Sequence, residues 1–229
     1  MGTLPIAGMT PLTTIDYPGA LSAVLFCQGC PWRCPYCHNP HLLAERGDTS
    51  LPWTEVMMFL RRRRGLLDAV VFSGGEPTLH EGLAEAIRQV RAMGYRVGLH
   101  TAGPLPGHLA QVLPLLDWVG MDMKAPFDGY DAVTRTPGSG AKALESLRLL
   151  LQSRVAHEIR TTVGHPSLTE EALRRMAEEL AALGVRHYVL QSCRRDGTSV
   201  EAKENFQFET LAEGVRGRHG ARFESFSCR

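Results

Sequence analysis

Short apolar runs of strand length alternate with helical patterns along almost the whole chain. Ala20–Phe26 reads as a buried strand, and Ala69–Ser73, Tyr95–His100, Trp118–Met123, Glu158–Val163 and His187–Gln191 follow it at the spacing that repeated βα units require. Between them, apolar positions recur every three or four residues. Leu83, Ile87 and Val90 share one helical face, and Gly94 supplies a stop. Leu144, Leu147 and Leu151 mark a second helix. A third runs from about Ser167 to Leu183, with Leu173, Met176, Leu180 and Leu183 facing inward, Ser167 and Glu170 at capping-box spacing, and Gly184 behind it. A last amphipathic stretch, Glu209–Arg216, leads into a candidate edge strand at Arg222–Phe226.

Strands alternating with helices in this way predict a parallel sheet with right-handed crossovers. Six such units are too few for a closed eight-unit barrel. The expected class is therefore α/β, a partial (β/α)6 TIM-like barrel open on one side, with a doubly wound sheet as the alternative. In both, reactive groups gather at the C-terminal ends of the strands. No internal repeat, low-complexity tract or Ser/Gly-rich linker divides the 229 residues, so 1–229 reads as one domain.

Composition narrows the class further. A content of 44% hydrophobic and 21% charged residues suits a globule with a sizeable core. Twenty-five Lys and Arg against 24 Asp and Glu leave a formal charge of +1, so no global field argues for nucleic acid or an anionic membrane. The apolar runs are too short to cross a bilayer. The N-terminus lacks the pattern of a secretory signal, and Ile6 stands where a myristoylation site after Met1-Gly2 needs Ser or Thr. The expectation is a cytoplasmic protein with no nucleic-acid or membrane partner. Arg61–Arg64 ends a helical run before Gly65, where cations complement the helix dipole. That reads as a solvated helix end, with docking of an acidic partner surface as the alternative.

In a reducing compartment the cysteines call for an explanation other than disulfides. Cys27, Cys30, Cys34 and Cys37 crowd into the segment after the first strand, whereas Cys193 and Cys228 stand alone. Cys30, Cys34 and Cys37 have the spacing C-x3-C-x2-C, and thiolates are soft ligands for iron–sulfur clusters or zinc. Pro31 and Pro35 stiffen the loop, which lowers the entropy lost as ligands converge. Cys27 is open to two readings: a fourth ligand closing a zinc or electron-transfer site, or a small apolar residue ending a buried strand.

The C-x3-C-x2-C spacing, with Tyr36 just before the last cysteine, resembles the signature of the radical S-adenosylmethionine (SAM) superfamily. The resemblance implies a radical SAM type of barrel in which Cys30, Cys34 and Cys37 bind three irons of a [4Fe–4S] cluster, and SAM takes the fourth. Tyr36 and His38 join the cofactor-binding candidates on the same ground. Gly74-Gly75-Glu76, one βα unit later, is similar to the family's GGE motif, whose backbone and Glu bind the methionine amino group. The third strand ends in His100-Thr101-Ala102-Gly103; relatives usually carry Thr-Asn-Gly here, so Thr101 is retained as a candidate while Ala102 departs from the pattern. His100 reads as a structural histidine. Asp122 and Lys124 resemble an Asp-x-Lys segment, suited to ribose hydroxyls and to the SAM carboxylate. Arg160, a charge inside an apolar strand, requires an anionic partner, either the SAM carboxylate or Glu158 on the same strand face.

The segments Met9–Gly19, Gln28–Pro40 and Glu158–Val163 together resemble the activating proteins of anaerobic ribonucleoside-triphosphate reductase, with pyruvate formate-lyase activating enzymes as close relatives. This implies one-electron cleavage of SAM to methionine and a 5′-deoxyadenosyl radical, which removes hydrogen from a glycine of a partner glycyl-radical enzyme. A one-electron donor such as flavodoxin or ferredoxin is implied too. No side chain is needed as a general base beyond the cluster and SAM. A small-molecule radical SAM enzyme and a metal-stabilised binding module remain as alternatives. Cys193 is expected to be structural, and Cys228 an exposed thiol.

Overall fold

In the computed structural model, which describes residues 4–47, 50–164, 168–193 and 208–229, eight strands form one continuous sheet in sequence order. The strands are β1 (Ile6–Thr13), β2 (Ser22–Cys27), β3 (Ala69–Gly74), β4 (Arg96–Thr101), β5 (Trp118–Asp122), β6 (Ala156–Val163), β7 (His187–Ser192) and β8 (Ser225–Cys228). β1 lies antiparallel to β2, and every later pairing is parallel. A doubly wound sheet reverses its strand order at a switch point, and this one never does. The sheet ends at β1 on one side and β8 on the other, which is the partial barrel open on one side.

Among the described residues, seven α-helices lie in the connections: α1 (Trp53–Arg62), α2 (Leu83–Ala92), α3 (Pro106–Val112), α4 (Tyr130–Thr134), α5 (Ser139–Gln152), α6 (Glu170–Ala182) and α7 (Phe208–His219). Strand alternation divides the sheet into two faces. One face gives Leu25, Phe72, Leu99, Met121, Ile159 and Leu190 to the main core, where they meet apolar stripes such as Ala86, Ile87 and Val90 of α2. On the other face Val24, Val71 and Trp118, joined by Tyr17 and Ala20, form a smaller cluster. Positions further along that inner face, His100, Asp122, Arg160 and Thr162, line an open cavity instead.

Several expectations shift here. The α6 cap is Thr169, whose side chain accepts from the Ala172 amide at 3.2 Å; Ser167 lies outside the described residues. In α5 the inward stripe is Ala143, Leu147 and Leu150, while Leu144 and Leu151 are half-buried. The last strand falls at Ser225–Cys228, beyond the expected Arg222–Phe226, and Cys228 is half-buried in it. Arg61 to Arg64 are all exposed at the C-terminal end of α1, as a solvated helix end requires. Among the described residues, no helix is long and apolar enough to cross a membrane.

Candidate active site

The cavity has a volume of ≈ 560 Å³, within the usual range for small-molecule sites of about 300–1,000 Å³. Its floor and walls come from the C-terminal ends of the parallel strands and from the loop after β2. Cys30, Cys34 and Cys37 all line it, together with Tyr36 and His38. Cys27 does not: it is fully buried in the main core at the end of β2. Burial, with Glu76 nearby, raises its thiol far above the ordinary value. Burial and then Glu76 push the Cys30 thiol up to about 12, and burial raises that of Cys34.

The cysteine loop is held by the turn that follows β3. Parallel pairing sets Gly74 opposite Cys27. The Gly75 amide then donates to the Cys27 carbonyl at 2.9 Å, and the Glu76 amide to the Gly29 carbonyl at 2.8 Å. Gly74 takes φ +111°, and a Cβ on it would strike the Cys27 backbone; a Cβ on Gly75 would strike the Gly29 carbonyl. Gln28, nearly buried, completes the support by donating to the carbonyls of Ala44 at 2.6 Å and His41 at 3.3 Å. The two glycines line the cavity while the Glu76 side chain lies behind its wall.

Glu76 joins the exits of β3 and β4. Its Oε1 accepts from the Thr78 amide (3.1 Å), the Thr78 hydroxyl (2.6 Å) and the Thr101 hydroxyl (2.7 Å), and its Oε2 accepts from the Ala102 amide (3.0 Å). Burial raises the carboxyl above its ordinary value, and these donors oppose the rise. Thr101 thus touches both Glu76 and the cavity.

Arg160 finds its anion across the sheet. The β5–β6 register sets Asp122 opposite Arg160, and Arg160 Nε donates to Asp122 Oδ1 at 2.8 Å. Lys124 Nζ reaches Asp122 Oδ2 at 3.3 Å. Glu158, the same-strand candidate, is instead paired with Arg229 at 2.6 Å. Gly120 leaves the space that Arg160 fills, since a Cβ there would lie 2.7 Å from the guanidinium carbon. Burial alone would raise the Asp122 carboxyl, but Arg160 and Lys124 hold it well below the usual carboxylate range. Burial likewise depresses Lys124, and Asp122 with Cys34 more than reverses this, leaving the ammonium above the ordinary lysine value. Two cations around one carboxylate leave a surplus positive charge on the wall, with Lys124 also 5.9 Å from the centre of the Tyr36 ring.

Sequence reasoning had not singled out Gln191 and Ser192 at the β7 exit, or Thr10, Thr13 and Asp16 from β1 and the loop behind it, as wall residues. The strand-exit rule could have found the first two; nothing in local pattern marks the others. Cys193 follows β7 and brings its Sγ to 3.7 Å from His38 Nε2, at the edge of the site.

With this geometry in view, the family can be stated. The chain belongs to the radical SAM superfamily, whose family model matches residues 24–180, from β2 to α6. It is a radical SAM enzyme. A Methanocaldococcus jannaschii protein that carries the name of a glycyl-radical enzyme activating enzyme is 34% identical over 182 residues, covering 76% of this chain and 74% of that one. The pyruvate formate-lyase-activating enzyme of Clostridium pasteurianum is 34% identical over 137 residues, 57% of this chain and 56% of its own length, so the chain spans little more than half of it. Streptococcus suis SuiB bound to precursor peptide SuiA matches in fold, with TM-score 0.71 at 12% identity over 88% of this chain and 47% of SuiB.

Membership implies use of SAM and an iron–sulfur cluster, and the donor set fits. Three soft sulfur donors share one cavity wall, with a fourth cysteine withheld in the core. Among the described residues no three His, Cys, Asp or Glu side chains converge on a single-ion site.

Proposed function

We propose that this chain is a glycyl-radical enzyme activating enzyme, with an anaerobic ribonucleoside-triphosphate reductase as the first candidate partner and a flavodoxin or ferredoxin as electron donor. What supports the reading is that three thiols share one cavity with the Gly74–Gly75 turn and with the charged group Asp122, Lys124 and Arg160, while Cys27 stays in the core. When bound, the cluster and SAM supply one-electron cleavage of the sulfonium and a carbon radical able to abstract hydrogen.

The chain's own residues supply attachment and orientation. Cys30, Cys34 and Cys37 would hold the cluster, on a loop fixed by the Gly75 and Glu76 amides. The close packing of Gly74 and Gly75 on Cys27 and Gly29 would keep this part of the cavity wall fixed for the methionine end. Glu76, behind the wall, would act on the site through Thr101 and the Ala102 amide, which it holds at the cavity surface. The surplus cation of the Asp122 group matches a carboxylate. Tyr36, His38 and Thr101 complete the cofactor wall. The open side of the barrel would admit a polypeptide loop that a closed barrel would exclude.

The test is anaerobic reconstitution with iron and sulfide, reduction in the presence of SAM, and measurement of 5′-deoxyadenosine. Electron paramagnetic resonance then follows with an anaerobic ribonucleoside-triphosphate reductase and a pyruvate formate-lyase as separate probes. The expected result is deoxyadenosine release and a glycyl radical on the reductase. Cys30→Ala, Cys34→Ala and Cys37→Ala should each abolish release, and Cys27→Ala should retain it. Bound zinc with no SAM cleavage would overturn the reading.

A further inference from the structure

Residues 13–19, the end of β1 and the start of the loop behind it, are anchored by a side chain of the cavity wall. His100 Nε2 lies 2.9 Å from the carbonyl oxygen of Asp16. A carbonyl only accepts, so the proton sits on Nε2, and Nδ1 is left to accept from the Ser73 hydroxyl at 3.3 Å. The imidazole also stands edge-on to Trp118, with ring centres 5.6 Å apart. Burial, with Arg160, pushes its pKa down to about 3, so this tautomer persists at neutral pH. Thr13 Oγ1 donates to the Asp16 carboxylate at 2.7 Å and stiffens the loop from its other end. One side chain on β4 thereby ties a loop at the sheet edge to β3 and β5.

That loop and the end of β1 expose two aliphatic side chains, Leu12 at 58% and Ile15 at 64%. Leu21, Met58 and Leu66 are the other large hydrophobic residues exposed among the described ones, and of all five only Leu12 and Ile15 line the cavity. The deeper wall is ionic, with Asp122, Lys124 and Arg160. SAM carries an apolar adenine face as well as its charges, but Leu12 and Ile15 are left more than half exposed and so are open to a larger ligand. An extended polypeptide suits them, because its side chains alternate and one can rest on the rim while the main chain reaches inward.

We infer that His100 is a positioning residue that clasps residues 13–19, so that Leu12 and Ile15 form an apolar lip seating an aliphatic side chain next to the target residue of a polypeptide substrate. This rests on the activase reading and adds to it the chemistry of the segment recognised. The lip contributes binding away from the reacting atoms, so its loss raises KM and spares kcat.

The experiment uses the reconstituted full chain, with the reductase and the lyase as probes. Ile15→Asp, at an exposed position, should raise KM for the activated partner by about tenfold, with kcat within about twofold and partner-free deoxyadenosine release unchanged. His100→Ala should raise the same KM and speed amide hydrogen exchange across residues 13–19. His100→Gln, which keeps an N–H at similar reach, should restore much of both. An unchanged KM in Ile15→Asp, or loss of self-association in that variant with KM intact, would overturn the lip and in the second case assign it to another copy of the chain. If wild type cleaves SAM but activates neither partner, the activase reading itself fails and the lip with it. That failure is distinct, because in the first two cases wild type remains active on its partner.

Discussion

Gly75 has no room for a methyl group, since a Cβ would meet the Gly29 carbonyl of the cysteine loop. Gly75→Ala should therefore push that loop outward, costing about 1–3 kcal/mol in urea unfolding and lowering iron retained per chain after reconstitution. Asp122 is the other residue on which much depends. Asp122→Asn leaves Arg160 and Lys124 without their anion, and the side chains are 7% and 15% exposed. Breaking a buried pair costs about 3–5 kcal/mol, and the partial exposure of Asp122 trims this to about 1–3. The folded pKa of Asp122 is depressed, so its contribution is fully present above the unfolded carboxylate value, roughly 3.9, and is lost as pH falls through the depressed one. Unfolding at pH 7, 5 and 3 should show the variant's deficit shrinking only at the acid end. The sequence exposed the need for an anion beside Arg160 but offered the SAM carboxylate or Glu158, because strand alternation speaks only of one strand. The choice of Asp122 is made by β5–β6 register, which no single segment encodes.

At the scale of elements, legibility followed periodicity. The six inner strands and α2 carry strong patterns and stand where their patterns put them, within a residue or two, and α6 begins three residues later than its expected start. β1 was missed as a strand because only Ile6 of its eight residues is buried, and Pro11 interrupts it as an edge strand permits. α3 and α4, at seven and five residues, are too short for a helical period to show. In α6 the cap moved to Thr169, which sits directly before the first helical residue. Thr169→Ala should cost about 1 kcal/mol by thermal or urea unfolding, and Ser167→Ala should cost less than half of that. The cysteine loop was legible as a candidate ligand segment from its spacing, but its attachment to the Gly74–Glu76 turn was invisible, since those bonds join residues brought together only by the β2–β3 pairing.

For the molecule as a whole, the site belongs to the folded state alone. Thiols at 30–37, a glycine turn at 74–75 and charges at 122–160 meet only when the sheet is assembled, so cluster and SAM bind the native chain in preference to the unfolded one. SAM at a hundred times its dissociation constant should then add about 2.7 kcal/mol to the reconstituted protein, read as a rise in melting temperature. Cys34→Ala should show no such rise, and chelation of iron should remove it from wild type. The sheet ends at β1 and β8, as the number of βα units foretold, and the proposed function puts the entry of a large substrate at that open side.

The strictly sequential strand order also bears on biosynthesis. Each parallel strand adds beside the one translated just before it, so the nascent chain can lay down its sheet as it leaves the ribosome, without waiting for distant partners. The three thiols emerge early, on the loop after β2, whereas Arg160, Thr162 and Gln191 of the facing wall are translated much later. Until those arrive, the thiols stand open to oxygen and to stray metal. On the function proposed above, iron–sulfur loading is then expected after translation, as a maturation step on a completed polypeptide.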